Sequence, residues 1–170
     1  ALIVVDGKAG VEVGTELAWD MVCEEKKPRA FFINKCDDPE ARFKRVFGQM
    51  HEMFGQSVCP VIIPVMEGDN IVGLLDLIEM KAVGFGKNNP GKEISIPAGN
   101  EERIEICRNM LYEAVASTSE ELMEKYFNGD ELTREEVVGA LHGGVLTGDI
   151  APVICGSATN LCGIDLLMDM

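Results

Sequence analysis

The sequence predicts an α/β fold, a parallel sheet with flanking helices, into which a separate α+β unit is set. Three observations predict it. Continuous apolar runs at residues 1–5 (ALIVV), 30–34 (AFFIN) and 151–158 (APVICGSA) have the composition of strands buried on both faces of a parallel sheet. Helical apolar spacing follows the first two runs. Between residues 57 and 149 the rhythm changes to paired strand-like runs and then to acidic helices, and at Ala151 the first pattern resumes. A strand and helix series broken by about ninety residues of different character is the pattern of a domain inserted in an α/β sheet. The division expected is therefore 1–56 with 150–170 as one unit and 57–149 as the other.

Each element has a local reason. After Asp6-Gly7 closes the first run, Val13, Leu17, Met21 and Val22 recur at helical spacing between Glu12 and Lys27, and Pro28 marks the stop. After Asp38-Pro39, the set Phe43, Val46, Phe47, Met50, Met53 and Phe54 forms a second amphipathic helix ended by Gly55. VCPVIIPV and IVGLLDLI, separated by the turn Glu67-Gly68-Asp69-Asn70, predict an antiparallel pair. A Gly-, Asn- and Lys-rich loop and a short strand over EISIP come next. Helices then open at two capping boxes, Thr118-x-x-Glu121 and Thr133-x-x-Glu136. The final IDLLMDM is helix-like and still apolar where it stops, so the parent protein is expected to continue past Met170.

Composition narrows the function classes. With 170 residues, 46% hydrophobic and 26% charged, the chain has enough apolar surface for a core and is neither fibrous nor disordered. No apolar stretch approaches the roughly 18 to 20 residues of a membrane span, and ALIVVDGKAG lacks the basic segment and cleavage site of a signal peptide, so no membrane association and a cytoplasmic location are expected. The net charge of -14 opposes direct nucleic-acid binding. Residues 101–136 alone hold eleven carboxylates against four basic side chains, which is either a solvated helical face or a docking surface for a basic partner. The six cysteines include no C-x-x-C pair and the two histidines stand far from them, so no metal site is expected and the cysteines read as free thiols.

The candidate site is FINKCDD. Asn34, Lys35 and Asp37 fall at the carboxyl end of a predicted parallel strand, where open α/β sheets bind ligands. The spacing Asn-Lys-x-Asp suits guanine, because one carboxylate accepts from both its N1–H and its N2 amino group. Adenine offers neither donor there, and an ionised acceptor left unpaired in a dry pocket rejects it by on the order of 2 to 5 kcal/mol. Lys35 would lay its stem over the purine while Asn34 fastens the loop. Gly156-Ser157-Ala158 follows another buried strand, where small residues permit a close approach of backbone N–H to the base oxygen, and the Ser157 hydroxyl would hold Asp37. Phosphoryl transfer needs more. The one near match to G-x-x-x-x-G-K-[ST], Gly86 to Glu93, puts Glu93 where a hydroxyl belongs, has Pro90 inside the loop and precedes an extended segment. It is read as a lysine-bearing loop and not a phosphate site.

With those residues in view, the whole chain resembles the middle of elongation factor G, a translational GTPase. ALIVVDGKAGVEVGTELAW is similar to that family's strand and helix after switch II, FINKCDD to its guanine motif, and CGSATNLCGIDLLMDM to its last base-contacting loop and helix. Residues 57–149, with VIIPVMEGD, LLDLIEMKA and ELMEKYFNGDELTREEV, resemble its inserted subdomain. The resemblance implies a partial P-loop GTPase fold with an inserted α+β subdomain. It also implies Asn34, Lys35, Asp37, Ser157 and Ala158 as guanine-nucleotide-binding residues, GTP or GDP as ligand, and Mg2+ only in the intact parent. Its implied partners are the ribosome and, through the insert, the ribosomal stalk protein, with translocation as the process served. Cys36 in place of the usual Met, Gly7-Lys8 and Asp38 depart from the family pattern, and ribosome-protection and duplicated paralogues share the rest. Without phosphate loop and switches, the fragment alone is expected to bind nucleotide weakly and to hydrolyse none. The reading from another class is a non-catalytic module acting through the acidic helices.

Overall fold

The computed structural model describes residues 1–86 and 91–169. Four strands make a parallel sheet: β1 (Leu2–Asp6), β2 (Ala30–Asn34), β3 (Val58–Pro60) and β8 (Ala151–Cys155), in the order β1-β2-β8-β3. Four more, β4 (Ile62–Glu67), β5 (Asn70–Asp76), β6 (Lys81–Gly84) and β7 (Glu93–Ile94), make an antiparallel sheet in sequence order. The helices are α1 (Val13–Glu24), α2 (Phe43–Phe54), α3 (Glu101–Ala116), α4 (Glu120–Asn128), α5 (Arg134–Thr147) and α6 (Ile164–Met168). Among the described residues no helix is long and apolar enough to cross a membrane.

The parallel sheet is buried at its centre. All five residues of β8 and the FFI of β2 are shielded, as continuous apolar runs require. β1 departs from the expectation of a strand buried on both faces. It is an edge strand, so Ile3 and Val5 point into the core while Leu2 and Val4 are 46% and 56% exposed. The run 58–65 also divides. Val58–Pro60 pairs in parallel with β8, and the antiparallel pairing begins only at Ile62. Val61 joins the two sheets: its N–H donates to Val153 O at 2.9 Å and its carbonyl accepts from Leu77 N at 3.0 Å. One apolar core therefore runs from Ile3 through both sheets to α3 and α5.

Helix α1 is turned differently from its apolar spacing. Val13, Leu17 and Met21 are more than half exposed, and the inward contacts come from Ala18, Trp19 and Val22. Trp19 decides the orientation, because a large flat ring gains most from burial. It stacks on Phe31 of β2 at 5.4 Å and on Phe54 of α2 at 4.8 Å between centroids, with the Arg29 guanidinium over its ring at 4.6 Å. Helix α2 keeps its expected face, with Phe43, Val46, Phe47 and Met50 buried, while Met53 is exposed.

In the antiparallel sheet β4 and β5 meet at Glu67 and Asn70 around Gly68-Asp69, where Gly68 takes the left-handed conformation that the turn needs. The strand expected over EISIP is only Glu93–Ile94. Helix α4 starts one residue later than the Thr118 box predicts. Ser119 is its cap, accepting from Leu122 N at 3.2 Å, while the Thr118 hydroxyl donates back to Val115 O at 2.7 Å and so belongs to the end of α3. The Thr133–Glu136 box forms as expected at the start of α5. All six cysteines are free thiols, five of them buried. The Gly86–Glu93 loop includes residues 87–90, which lie outside the described residues.

Because Trp19 is the shared wedge between α1, α2 and β2, Trp19→Ala is expected to cost about 3 kcal/mol of unfolding free energy, the low end for deletion of a large aromatic ring. The shift of the urea midpoint at unchanged slope measures it.

Candidate functional site

β2 and β8 are parallel neighbours, with Ile33 opposite Cys155, so the two loops leaving their carboxyl ends lie side by side. Two sequence-predicted residues, Asn34 and Ala158, are bonded to each other there, beside a short series of backbone bonds. The Cys36 N–H donates to Gly156 O at 3.0 Å and the Gly156 N–H to Ile33 O at 2.9 Å, which continues the sheet ladder past the last strand residues. Asn34 Oδ1 accepts the Ala158 N–H at 2.9 Å, tying one loop directly to the other. Lys35 sits in the left-handed region at φ 59°, a conformation that costs a non-glycine residue about 1 kcal/mol or more and that turns the loop sharply off the strand. The Asp38 N–H closes the turn on Lys35 O at 3.0 Å.

Asp37 is exposed, and among the described residues its carboxylate carries no hydrogen bond. It lines a cavity of about 390 Å³ between this loop, the start of α2 and the antiparallel sheet. Ser157 is fully buried. Its hydroxyl accepts from Asn160 N at 3.2 Å, and its backbone exchanges bonds with Cys162 at 2.9 and 3.0 Å. The expected hold of Ser157 on Asp37 does not form among the described residues; the hydroxyl instead shapes the 157–162 turn. The Ala158 N–H, one of the backbone donors of the Gly156-Ser157-Ala158 segment, is donated to Asn34. Gly156 is required for approach: a Cβ there would lie 2.3 Å from Cys162 O and 2.9 Å from the Phe32 ring.

Sequence reasoning missed Asp6. It ends β1 opposite Asn34 and accepts from Lys35 Nζ at 2.7 Å, while its other oxygen takes the N–H groups of Lys8 and Ala9 at 2.8 and 3.1 Å. The bond from Lys35 first, then those two backbone donors, lower the pKa of the Asp6 carboxyl to about 2. Lys35 is raised in turn by Asp6. Gly7 was missed as well. Its N–H donates to Asn34 O at 2.8 Å, and a Cβ on it would meet that same oxygen at 2.8 Å. The available signal was positional: Asp6-Gly7 also follows the carboxyl end of a predicted parallel strand. Three neighbouring strand ends, β1, β2 and β8, thus hold one connected polar layer.

The comparisons with known proteins bear on this layer. The sequence model of the elongation factor Tu GTP binding domain matches residues 1–170. The chain belongs to that family of translational GTPases. A crystal structure of a protein from Thermus thermophilus is similar to this GTP-binding domain at a TM-score of 0.86 and 31% sequence identity, over 99% of this chain and 25% of that one. This chain thus spans a quarter of the length of that structural relative. Family membership implies a guanine nucleotide as the ligand class of this domain. The parallel sheet flanked by helices, with the antiparallel sheet beside it, is the architecture of a GTPase domain carrying an inserted subdomain.

The Asp6–Lys35 pair sets a pH window. A carboxyl held at about 2 in the folded protein against ~3.9 unfolded contributes stability that is fully present above about pH 4 and is lost as pH falls toward 2. Lys35→Met is expected to return Asp6 toward the ordinary carboxylate range and to flatten that loss. The carboxyl carbon shift of Asp6, followed by NMR titration in wild type and variant, checks both.

Proposed function

We propose that this chain is the guanine-recognition half of the nucleotide site of an elongation factor G-like GTPase, whose parent couples GTP binding and hydrolysis to translocation on the ribosome. The observation that carries the reading is the tie between the loops, Asn34 Oδ1 to Ala158 N, beside an exposed Asp37 carboxylate that carries no hydrogen bond among the described residues. In this reading Asp37 accepts from guanine N1–H and N2, the Lys35 stem covers the purine with its ammonium steered by Asp6, and Ser157 and Ala158 form the wall at the base oxygen. Asn34 keeps the wall and the reader at a fixed distance.

The phosphates and Mg2+ belong elsewhere in the parent. The 170 residues hold no G-x-x-x-x-G-K-[ST] loop, and no group of three or more His, Cys, Asp or Glu side chains converges among the described residues. No step of hydrolysis is assigned to this chain. The exposed side of the β1 edge agrees with a larger domain: Leu2, Val4 and Met21 line a shallow apolar groove, which further chain would cover. Residues 57–149 are read as the inserted subdomain, with Val58–Pro60 lent to the parallel sheet. The cytoplasm is the compartment that this reading implies.

In the full-length protein, Asp37→Asn presents one acceptor and one donor where guanine needs two acceptors. Preference is expected to move from GTP toward XTP, whose C2 carbonyl receives the donor, by on the order of a hundredfold in relative affinity. Competition binding with the two nucleotides is the test, and an unchanged preference removes Asp37 from base reading.

The partner proposed for the insert is the ribosomal stalk protein. Glu120, Glu121, Glu124 and Glu135 are exposed, and beside them α2, α3 and α4 frame a groove of about 250 Å³ with Met110, Met123, Tyr126 and Phe127, the last 79% exposed. An apolar groove with Glu113 in its wall and exposed carboxylates on α4 and α5 suits a basic amphipathic surface, steered by charge and held by burial. Reversing those four carboxylates in the full-length protein is expected to slow stopped-flow association with the stalk protein by about tenfold or more at low salt. The defect should shrink as ions screen the field over about 10 Å at 0.1 M. Equal association rates for both forms at low salt leave the patch a solvated face.

A further inference from the structure

The cavity of about 390 Å³ beside Asp37 carries more charge than base reading uses. Its wall comes mainly from residues 36–44, the β4–β5 hairpin and the first turn of α3. Three bases, Arg42, Lys44 and Arg103, line it together with three carboxylates, Asp37, Asp38 and Asp69. The whole chain has 15 bases to 29 carboxylates, so a wall with equal numbers is rich in cations for this protein.

Opposite charges around one cavity ordinarily pair. Here, among the described residues, none of the six forms an ion pair. Arg42 Nη1 donates to the carbonyls of Pro39 and Ala41 at 2.7 and 2.8 Å, and Arg103 Nη1 to Asn100 Oδ1 at 3.4 Å. Asp38 is committed to its own loop, accepting the Glu40 N–H at 2.8 Å. Lys44 and Asp69 are exposed and carry no side-chain hydrogen bond among the described residues. Much of the remaining wall is apolar: Phe43 and Pro64 are buried, and Met66, Ile71 and Phe85 are half-buried.

We propose that this cavity binds a small zwitterion with an apolar body, the chemistry of an apolar α-amino acid, with Lys44 and Arg103 on its carboxylate and Asp69 on its ammonium. Cations and carboxylates that stand too far apart to neutralise one another must each be solvated by water or by a ligand, and a ligand with both signs serves both. A singly charged molecule of the same shape leaves one sign unmet. The apolar wall takes the body of the molecule, with the Phe43 and Phe85 rings suited to an aromatic one. A volume of about 390 Å³ is at the small end of ligand pockets, roughly 300 to 1,000 Å³. The site is separate from base reading: Asn34, Lys35, Ser157 and Ala158 do not line it, and it touches the base-reading loop at Cys36, Asp37 and Asp38. Its occupation does not depend on the guanine reading.

The test uses the full-length protein and probes of one shape: L-phenylalanine, 3-phenylpropionate, which lacks the ammonium, and 2-phenylethylamine, which lacks the carboxylate. Saturation-transfer NMR, titrated, gives a dissociation constant for each. Phenylalanine is expected to bind saturably and about fivefold or more tighter than either analogue, the size of one partly exposed charge pair. Asp69→Asn, which keeps the shape of the side chain, should weaken phenylalanine and 2-phenylethylamine about fivefold and leave 3-phenylpropionate as in wild type. Lys44→Gln should weaken phenylalanine and 3-phenylpropionate and leave 2-phenylethylamine unchanged. Both side chains are exposed, so the urea midpoint of each variant is expected to match wild type. Saturable binding of neither phenylalanine nor leucine overturns the proposal, as does a variant that alters all three probes alike or none of them. Saturating GDP should leave phenylalanine bound. Displacement by GDP makes the cavity part of the nucleotide site and overturns a separate one.

Discussion

The parallel pairing of β2 with β8 is the constraint on which the rest depends. It joins Phe31–Ile33 to Val153–Cys155, and past its end it aligns two loops whose tied residues, Asn34 and Ala158, are 124 positions apart. Everything between must leave the sheet and return. The entropic cost of closing such an excursion rises slowly, about 0.6 kcal/mol for each doubling of length, so a whole second sheet and four helices fit in the connection without preventing the pairing. What the excursion must do is return in register. Val61 secures this from one side, bonded to Val153 in the parallel sheet and to Leu77 in the antiparallel one.

The polar layer at the strand ends follows from that register. Asp6, Asn34 and the 156–158 turn lie at the carboxyl ends of three adjacent strands, so their side chains meet without long reaches. The strained Lys35 is held by Asp6 on one side and by the Asp38 turn on the other. Strain of this kind persists where neighbours over-determine it, and it clusters at ligand sites.

The two apolar surfaces outside the core differ in kind. Leu2, Val4, Val13, Leu17 and Met21 lie exposed along a sheet edge and its covering helix, where, under the proposed function, the complement is more of the same domain. Phe127, Met110 and Met123 line a groove whose wall includes the carboxylate of Glu113, and under the proposed function its complement is a separate basic partner. Burial alone does not separate these cases. Charge does, because carboxylates near an apolar surface oppose its permanent burial and favour a reversible encounter.

Much of this was legible in the sequence by itself. Continuous apolar runs fixed β2 and β8 as central strands; the period of Phe43 to Phe54 fixed both the existence and the inward face of α2; and the Thr133–Glu136 box placed the start of α5. Asn34, Lys35 and Asp37 stood out because residue type and spacing encode a chemistry that needs no tertiary information, and the family match over residues 1–170 agrees with the ligand class that they announced. Only the tertiary structure decided which strand was an edge, because Leu2 and Val4 read the same whether or not a neighbour covers them. It also decided that Trp19 and not the Val13–Leu17–Met21 stripe faces inward, that Val58–Pro60 belongs to the parallel sheet, and that Ser157 turns to Asn160 and away from Asp37. The partnership of Asp6 with Lys35 was invisible for the same physical reason: it joins residues far apart in sequence, and strand register, set by the whole core, brings them within bonding distance.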